Sequence, residues 1–226
     1  MPDTPTPPIP ILGLENIHFA HAGRPPICSG LCLNLHSGEQ IGLFGPNGSG
    51  KTTLLRLIMG LEKPQKGRIL LHGLPVADAK TLHRLRCSIG FVLQNSEDQL
   101  FSPTVLEDVA FGPLNIGLNR QEARDRAMET LESMGISSLA DRQTHRLSGG
   151  EKKMVSIATV LSMRPEALFL DEPTSFLDDE AKNRIIATLQ GQSTARIVVS
   201  HDRHFLEQTA STFLRIREGV LAPADM

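Results

Sequence analysis

The chain has 226 residues and a formal net charge of −2, with 23 Lys and Arg against 25 Asp and Glu. A chain of that length buries about 70% of the surface it exposes when unfolded, so a core forms without disulfide or metal staples. The near-neutral charge excludes a nucleic-acid binder that works through bulk positive charge, and no apolar run reaches the ~18 residues of a membrane span. Met1-Pro2-Asp3-Thr4-Pro5 has neither the basic nor the apolar region of a signal peptide, so the chain is expected to be cytosolic. Pro2, Pro5, Pro7, Pro8 and Pro10 bar a helix or central strand, and residues 1–11 are expected to be a disordered tail. One domain is expected over residues 12–226. Short strands follow at Leu14–Phe19 and Leu31–Leu35, separated by the turn Gly23-Arg24-Pro25-Pro26. Gln40–Phe44 is a compact apolar run ending in glycines, a buried strand. From Lys51 the spacing Leu54, Leu55, Ile58 predicts a helix that stops at Gly60. Ile69–Leu71 and Ile89–Leu93 are strands, and Val105–Phe111, Gln121–Met134 and Glu151–Met163 are helices. Ala167–Leu170 is a strand, Asp179–Gln190 a helix, and Ile197–Val199 a strand.

Strands alternating with helices predict an α/β fold, a mainly parallel sheet flanked by helices. The mostly helical stretch at about 95–165 interrupts the alternation and is expected to be an inserted helical subdomain. Cys28, Cys32 and Cys87 are too few and too isolated for a disulfide framework or a four-ligand zinc site, and are expected as free, buried thiols.

Gly45-Pro46-Asn47-Gly48-Ser49-Gly50-Lys51-Thr52 fits the phosphate-loop pattern G-x-x-x-x-G-K-[ST]. It follows a predicted strand and opens a predicted helix, as that pattern requires. The glycines let backbone N–H groups close round phosphate oxygens, and the helix N-terminus adds partial positive charge. Lys51 is placed to reach the β- and γ-phosphates, Thr52 to ligate Mg²⁺, and Thr53 to continue the nucleotide-binding run. In Leu168-Phe169-Leu170-Asp171-Glu172 an apolar strand delivers two carboxylates to its C-terminal end. Asp171 suits Mg²⁺, and Glu172 suits polarisation of an attacking water. Leu147-Ser148-Gly149-Gly150-Glu151 places a second anion-receiving helix start in the chain, with Ser148 as N-cap. A second such element beside a complete phosphate loop points to the phosphates of a second nucleotide.

These motifs resemble those of the ABC ATPases, from about Leu12 to Leu221. The phosphate loop, Gln94, Leu147–Glu151, Leu168–Glu172, Ser175-Phe176-Leu177-Asp178 and His201 stand in the family's order. The resemblance implies a small antiparallel β part at the N-terminus beside the P-loop ATPase core. It also implies ATP and Mg²⁺ as cofactors, with Gln94 sensing Mg²⁺ and the γ-phosphate and His201 touching the γ-phosphate. Glu172, His201, Gln94 and Lys51 are thus the catalytic candidates, and Thr52, Gln94 and Asp171 the metal candidates. Two subunits would close head to tail, each lending Ser148, Gly149 and Gly150 to ATP held by the other, with Asp178 at the contact. The second subunit is either a copy of this chain or a paralogue.

The runs Gly90–Asn95, Asp98–Val105 and Glu107–Asn115 are similar to the energy-coupling factor importers of the cobalt/nickel type. By that resemblance the chain works on the cytoplasmic face of a membrane with an integral coupling protein and a membrane substrate-binding protein. Importers of vitamins such as biotin belong to the same class, and a soluble, non-transport ABC ATPase is the other alternative. DNA-repair relatives insert long coiled coils between the phosphate loop and the signature, and the stretch from Lys51 to Leu147 is too short for them. Ribosomal relatives carry two ATPase domains. No nucleic-acid partner is therefore expected, and the intact catalytic candidates argue against a purely regulatory nucleotide binder. His21 stands where the family has an aromatic to stack adenine, with Phe19 as rival. Phe176 replaces a small residue, and Glu151 a commoner Gln. His201 and His204 lie three apart, but the family role of His201 argues against a metal pair. Beyond Gln94, Leu100, Phe101, Val105, Val109 and Phe111 supply apolar surface for packing or for a groove that accepts a partner helix.

Overall fold

A computed structural model describes residues 8–224. The strands in chain order are β1 (Leu12–Phe19), β2 (Cys28–Leu35), β3 (Gln40–Phe44), β4 (Lys66–Leu71) and β5 (Leu74–Pro75). They continue with β6 (Ile89–Val92), β7 (Ala167–Asp171), β8 (Ala195–Val199), β9 (Thr212–Arg217) and β10 (Val220–Pro223). The helices are α1 (Lys51–Ile58), α2 (Ala79–Ser88), α3 (Val105–Asn115), α4 (Arg120–Ser133), α5 (Gly149–Leu161), α6 (Asp179–Gln190) and α7 (Arg203–Thr209).

Two sheets form. The first is antiparallel, in the order β2-β1-β4-β5. The second runs β10-β9-β3-β8-β7-β6, all parallel except the edge strand β10. The expected α/β architecture, with a small N-terminal antiparallel part, is present. β3 and α6 keep the expected limits, while α2 and the strands of the β9–β10 hairpin were not expected from the sequence. Of the three thiols expected to be buried only Cys28 is; Cys32 is exposed and Cys87 half-buried. Of the expected tail, residues 1–7 lie outside the described residues. Ile11 departs from the expectation: it is buried, donates its N–H to Leu35 O at 2.9 Å and accepts from His72 N at 3.0 Å. Pro10 lacks a donor only at its own position, so the apolar residue after it is free to join the sheet.

Alternation along β7 explains how one strand serves two cores. Leu168 and Leu170 face the cluster built on α3–α7, whereas Ala167 and Phe169 face the cluster shared with α1 and the antiparallel sheet. A strand buried on both faces is continuously apolar, and all five residues of β7 are buried. The helices α3, α4 and α5 each begin with a capping box: Thr104 with Glu107, Asn119 with Glu122, and Ser148 with Glu151. Within the run after Gln94, Val105 and Val109 are fully buried and Leu100 packs against the same core. Phe101 and Phe111 are left at the surface, 65% and 44% exposed.

Candidate nucleotide site

The site lies at the C-terminal ends of the parallel strands, where ligands bind open α/β sheets. β3 leads through residues 45–50 into α1. Gly50, the N-cap of α1, has φ 97° and makes no side-chain cap bond. A side chain at position 50 would collide with Ile27 Cγ2 as well as strain the backbone. The first N–H groups of α1 therefore have no side-chain acceptor and suit an anion. Ser49 Oγ is buried without a hydrogen-bond partner in the same loop, a polar atom that a phosphate oxygen would satisfy. Lys51 is buried, and its Nζ donates to Gly45 O at 2.8 Å and Pro46 O at 2.9 Å. Burial pushes its ammonium below the ordinary lysine range, opposed by the charges of Glu172 and Asp171.

β7 delivers the carboxylates. Asp171 is buried and accepts from Thr52 Oγ1 at 3.0 Å. Burial raises its pKa, and the neighbouring Glu172 charge adds to that. The Thr52 bond, Lys51 and Lys153 pull the other way. A buried carboxylate so placed gains from a hard cation, and a hydroxyl, a carboxylate and the Gln94 amide oxygen on the cleft wall are all-oxygen ligands. Thr52, Asp171 and Gln94 fit Mg²⁺ on that chemistry. Glu172, next in the chain, sits at φ 45°, a left-handed conformation unusual for a side chain of its size. Its N–H donates to Val199 O at 2.9 Å, which fixes the turn to β8. Its Oε2 lies 2.7 Å from His201 Nδ1 and 3.5 Å from Ser175 Oγ. An ionised carboxylate only accepts, so Nδ1 is the donor of this bond whenever Glu172 is ionised. A doubly protonated ring would also present an Nε2–H donor to a phosphate.

A cleft of about 450 Å³ joins these groups, lined by His21, Asn47, Gly48, Gly50, Lys51, Thr52, Thr53, Gln94, Glu172 and His201 among others. Phe19 does not line it: the ring is in the core, edge-on to His21 with centroids 5.0 Å apart. Ser148, Gly149, Gly150 and Asp178 do not line it either. They wall a second cavity of about 480 Å³. There the Ser148 side chain accepts from Glu151 N at 3.3 Å, while Glu151 accepts from Ser148 N at 2.7 Å and from Arg142 at 2.8 Å. The acid at position 151 thus closes a capping box, and Asp178 caps α6 by accepting from Ala181 N at 2.8 Å.

Three residues of the site were not found by sequence reasoning. Arg24 and Ile27 line the cleft from the β1–β2 turn, and the turn carries no signal beyond Gly and Pro. Lys153 on α5 is buried and donates to Leu93 O at 2.9 Å and Gln94 O at 2.8 Å, at the root of the Gln94 loop. A lysine four residues before the buried Ile157 stands on an apolar face, and that mismatch was the available signal.

Among the described residues no helix is long and apolar enough to cross a membrane. Comparison with known proteins gives a family match, ABC transporter, over residues 28–175. The cobalt import ATP-binding protein CbiO of Rhodobacter capsulatus is 43% identical over 92% of this chain and 74% of its own length. The nickel import ATP-binding protein NikO of the same organism is 41% identical over 95% and 89%. The energy-coupling factor transporter ATP-binding protein EcfA of Methanothermobacter thermautotrophicus is 40% identical over 93% and 69%. Among solved structures, CbiO1 of Clostridium perfringens, part of the transporter complex cbiONQ, superposes with TM-score 0.81 at 35% identity, over 94% of this chain and 86% of that one. The dimeric cassette MJ0796, in a post-hydrolysis state with ADP and phosphate, gives TM-score 0.81 at 26% identity over 95% and 99%. The chain belongs to the ABC transporter family, as an ATPase subunit that resembles those of the cobalt/nickel energy-coupling factor importers.

Proposed function

We propose that this chain hydrolyses ATP to power a membrane importer of the energy-coupling factor type, and that the imported substrate is cobalt or nickel ion. The substrate reading is supported by the cobalt and nickel relatives. One surface observation carries the transport reading. Phe101 and Phe111 meet edge to face on the helical layer, centroids 4.8 Å apart, with Leu114 also exposed. Aromatic rings left in water on a chain with no spanning helix among its described residues suit a partner helix laid into a groove. The partner is an integral coupling protein, working with a membrane substrate-binding protein. This chain then sits on the cytoplasmic face as a single domain with its helical layer toward the membrane.

In the proposed chemistry the N–H groups of residues 47–53 and Lys51 hold the phosphates, and His21 faces the base. Thr52, Gln94 and Asp171 would hold Mg²⁺, which when bound neutralises charge on the β- and γ-oxygens. Glu172 accepts a proton from the attacking water. His201, hydrogen-bonded to Glu172, orients that carboxylate and offers its other nitrogen to the γ-phosphate. Ser148, Gly149 and Gly150 of a second subunit complete the site.

Phe101→Asp tests the transport reading. The variant should fold and bind ATP, lose its membrane partners on purification, and abolish labelled Co²⁺ or Ni²⁺ uptake by cells. A variant that still copurifies and transports normally would sink the docking surface. A wild-type complex that takes up neither ion, but does take up a vitamin, would sink the metal reading.

A further inference from the structure

Lys51, Thr52, Gln94, Glu172 and His201 account for the phosphates and the cation in the cleft. The β1–β2 turn supplies a different part of its lining, through His21, Arg24 and Ile27. By remainder, the base of a bound nucleotide meets this turn. The chain has no Trp and no Tyr, and Phe19 is buried with its ring edge-on to His21. The turn therefore offers the base one imidazole face. Stacking is tolerant of which base arrives, and a small ring gives it little area, so contacts to the base edge decide selection. Arg24 is the side chain placed to make them. Its N–H donates to His21 O at 3.0 Å, and Ile27 N donates to Phe19 O at 2.8 Å. Pro25 and Pro26 follow and restrict the backbone on that side. Arg24 is thus exposed on a turn whose backbone is set before a nucleotide arrives.

A guanidinium only donates. Guanine presents O6 and N7, two acceptors side by side, and the guanidinium fork meets both. Adenine presents N7 beside its N6 amino group, so one arm of the fork finds an acceptor and the other faces a donor. We infer that Arg24 reads the edge of the nucleobase and makes guanine nucleotides substrates of this chain on at least equal terms with ATP. The inference rests on the proposed nucleotide site, with His21 against the base, and adds the identity of the base. A pocket that only packs its ligand discriminates little, whereas a polar group that needs a partner discriminates more. Glu172 and Lys51 act on phosphates that ATP and GTP share, so the choice of base should appear in binding and KM rather than in kcat.

Calorimetric titration of the full wild-type chain with ADP, GDP, IDP and 7-deaza-GDP reads the base contact without turnover. GDP and IDP both carry O6 and N7 and should bind at least as tightly as ADP. Without N7, 7-deaza-GDP should bind about 5-fold or more weakly than GDP. Arg24→Ala should lower the ratio of GDP to ADP affinity by about 5-fold or more. Arg24→Gln should turn the preference to ADP, because an amide both donates and accepts and so matches N6 and N7 of adenine. Hydrolysis of GTP and ATP should follow these changes in KM with kcat unchanged. A ratio that Arg24→Ala does not move overturns the inference. That holds both for a variant that binds the two nucleotides as before and for one that weakens both alike, the second outcome placing Arg24 on the ribose or the α-phosphate. A wild-type chain that binds ADP about 10-fold more tightly than GDP overturns it as well. In each of these cases the nucleotide site stands, whereas a folded chain that binds none of the four nucleotides overturns the proposed function together with the inference.

Discussion

Glu172 illustrates how a single residue acquires a role from its surroundings. β7 ends at Asp171, the next residue turns into a left-handed conformation, and its carboxylate is carried to His201 Nδ1 at 2.7 Å and Ser175 Oγ at 3.5 Å. The pair of acids was legible in the sequence because an apolar strand ending in two carboxylates, beside a phosphate loop, leaves little else for them to do. Their division of labour was less legible, since it depends on the turn: Asp171 faces Thr52, whereas Glu172 faces the histidine. Glu172→Gln preserves size and still accepts from His201, but it cannot take up a proton. ATP binding should hold while hydrolysis falls by ~10²–10⁴-fold, as expected for loss of a general base. Phosphate release and nucleotide binding measured on the same preparation check this, and turnover at the wild-type rate would remove Glu172 from the role.

At the scale of elements, α5 joins two parts of the site. Its first turn presents Ser148–Gly150 to one cavity, and its second turn sends Lys153 to the carbonyls of Leu93 and Gln94. Burial pushes the Lys153 ammonium down to about 8, with the charge of Asp171 opposing. The unfolded chain holds this proton up to a pH near 10.4, so between about pH 8 and that value it binds more protons than the folded chain. Stability contributed at this position therefore rises with pH across that window. Lys153→Met has no such proton. Relative to that variant, the wild type should gain about 2 kcal/mol between pH 7 and pH 10, read from urea unfolding at each pH. A difference independent of pH would show that Lys153 is ordinary in its protonation. Because the variant frees the root of the Gln94 loop, its turnover should also fall, roughly 10-fold, with ATP affinity kept. Elements with strong periodicity were legible: α4, α5 and α6 each carry an apolar stripe. α2 was not, because of its ten residues only Leu85 is buried and its start is marked by the Asp78–Thr81 capping box alone. The β9–β10 hairpin carries only a turn signal in the sequence. Its two-residue loop, Glu218 at φ 52° and Gly219 at φ 81°, matches the twist of the flanking strands, which are half-exposed and so lack a continuous apolar run.

At the scale of the molecule, the cleft around Lys51 and the cavity around Ser148 are separate and share only Phe176 among their lining residues, and on the proposed reading each is half of a nucleotide site. Sequence order could suggest this division, since two anion-receiving helix starts exceed what one nucleotide needs. Only the fold could place them on separate walls, because that depends on how α5 crosses the sheet. The division has a consequence for mixtures. A Ser148→Arg chain keeps its phosphate loop, and a Lys51→Ala chain keeps its signature helix. Each alone should be nearly inactive, because every site in its dimer lacks one essential half. In a mixed dimer one site takes both sound halves and the other takes both damaged halves. With random pairing at equal amounts, half the dimers are mixed and each has one of two sites, so turnover should recover to about a quarter of the wild-type value. Steady-state ATPase of the two variants, separately and combined at constant total protein, provides the measurement. A mixture no more active than the sum of its components would mean that the halves do not act across a pair, and full activity of either variant alone would mean that one copy suffices.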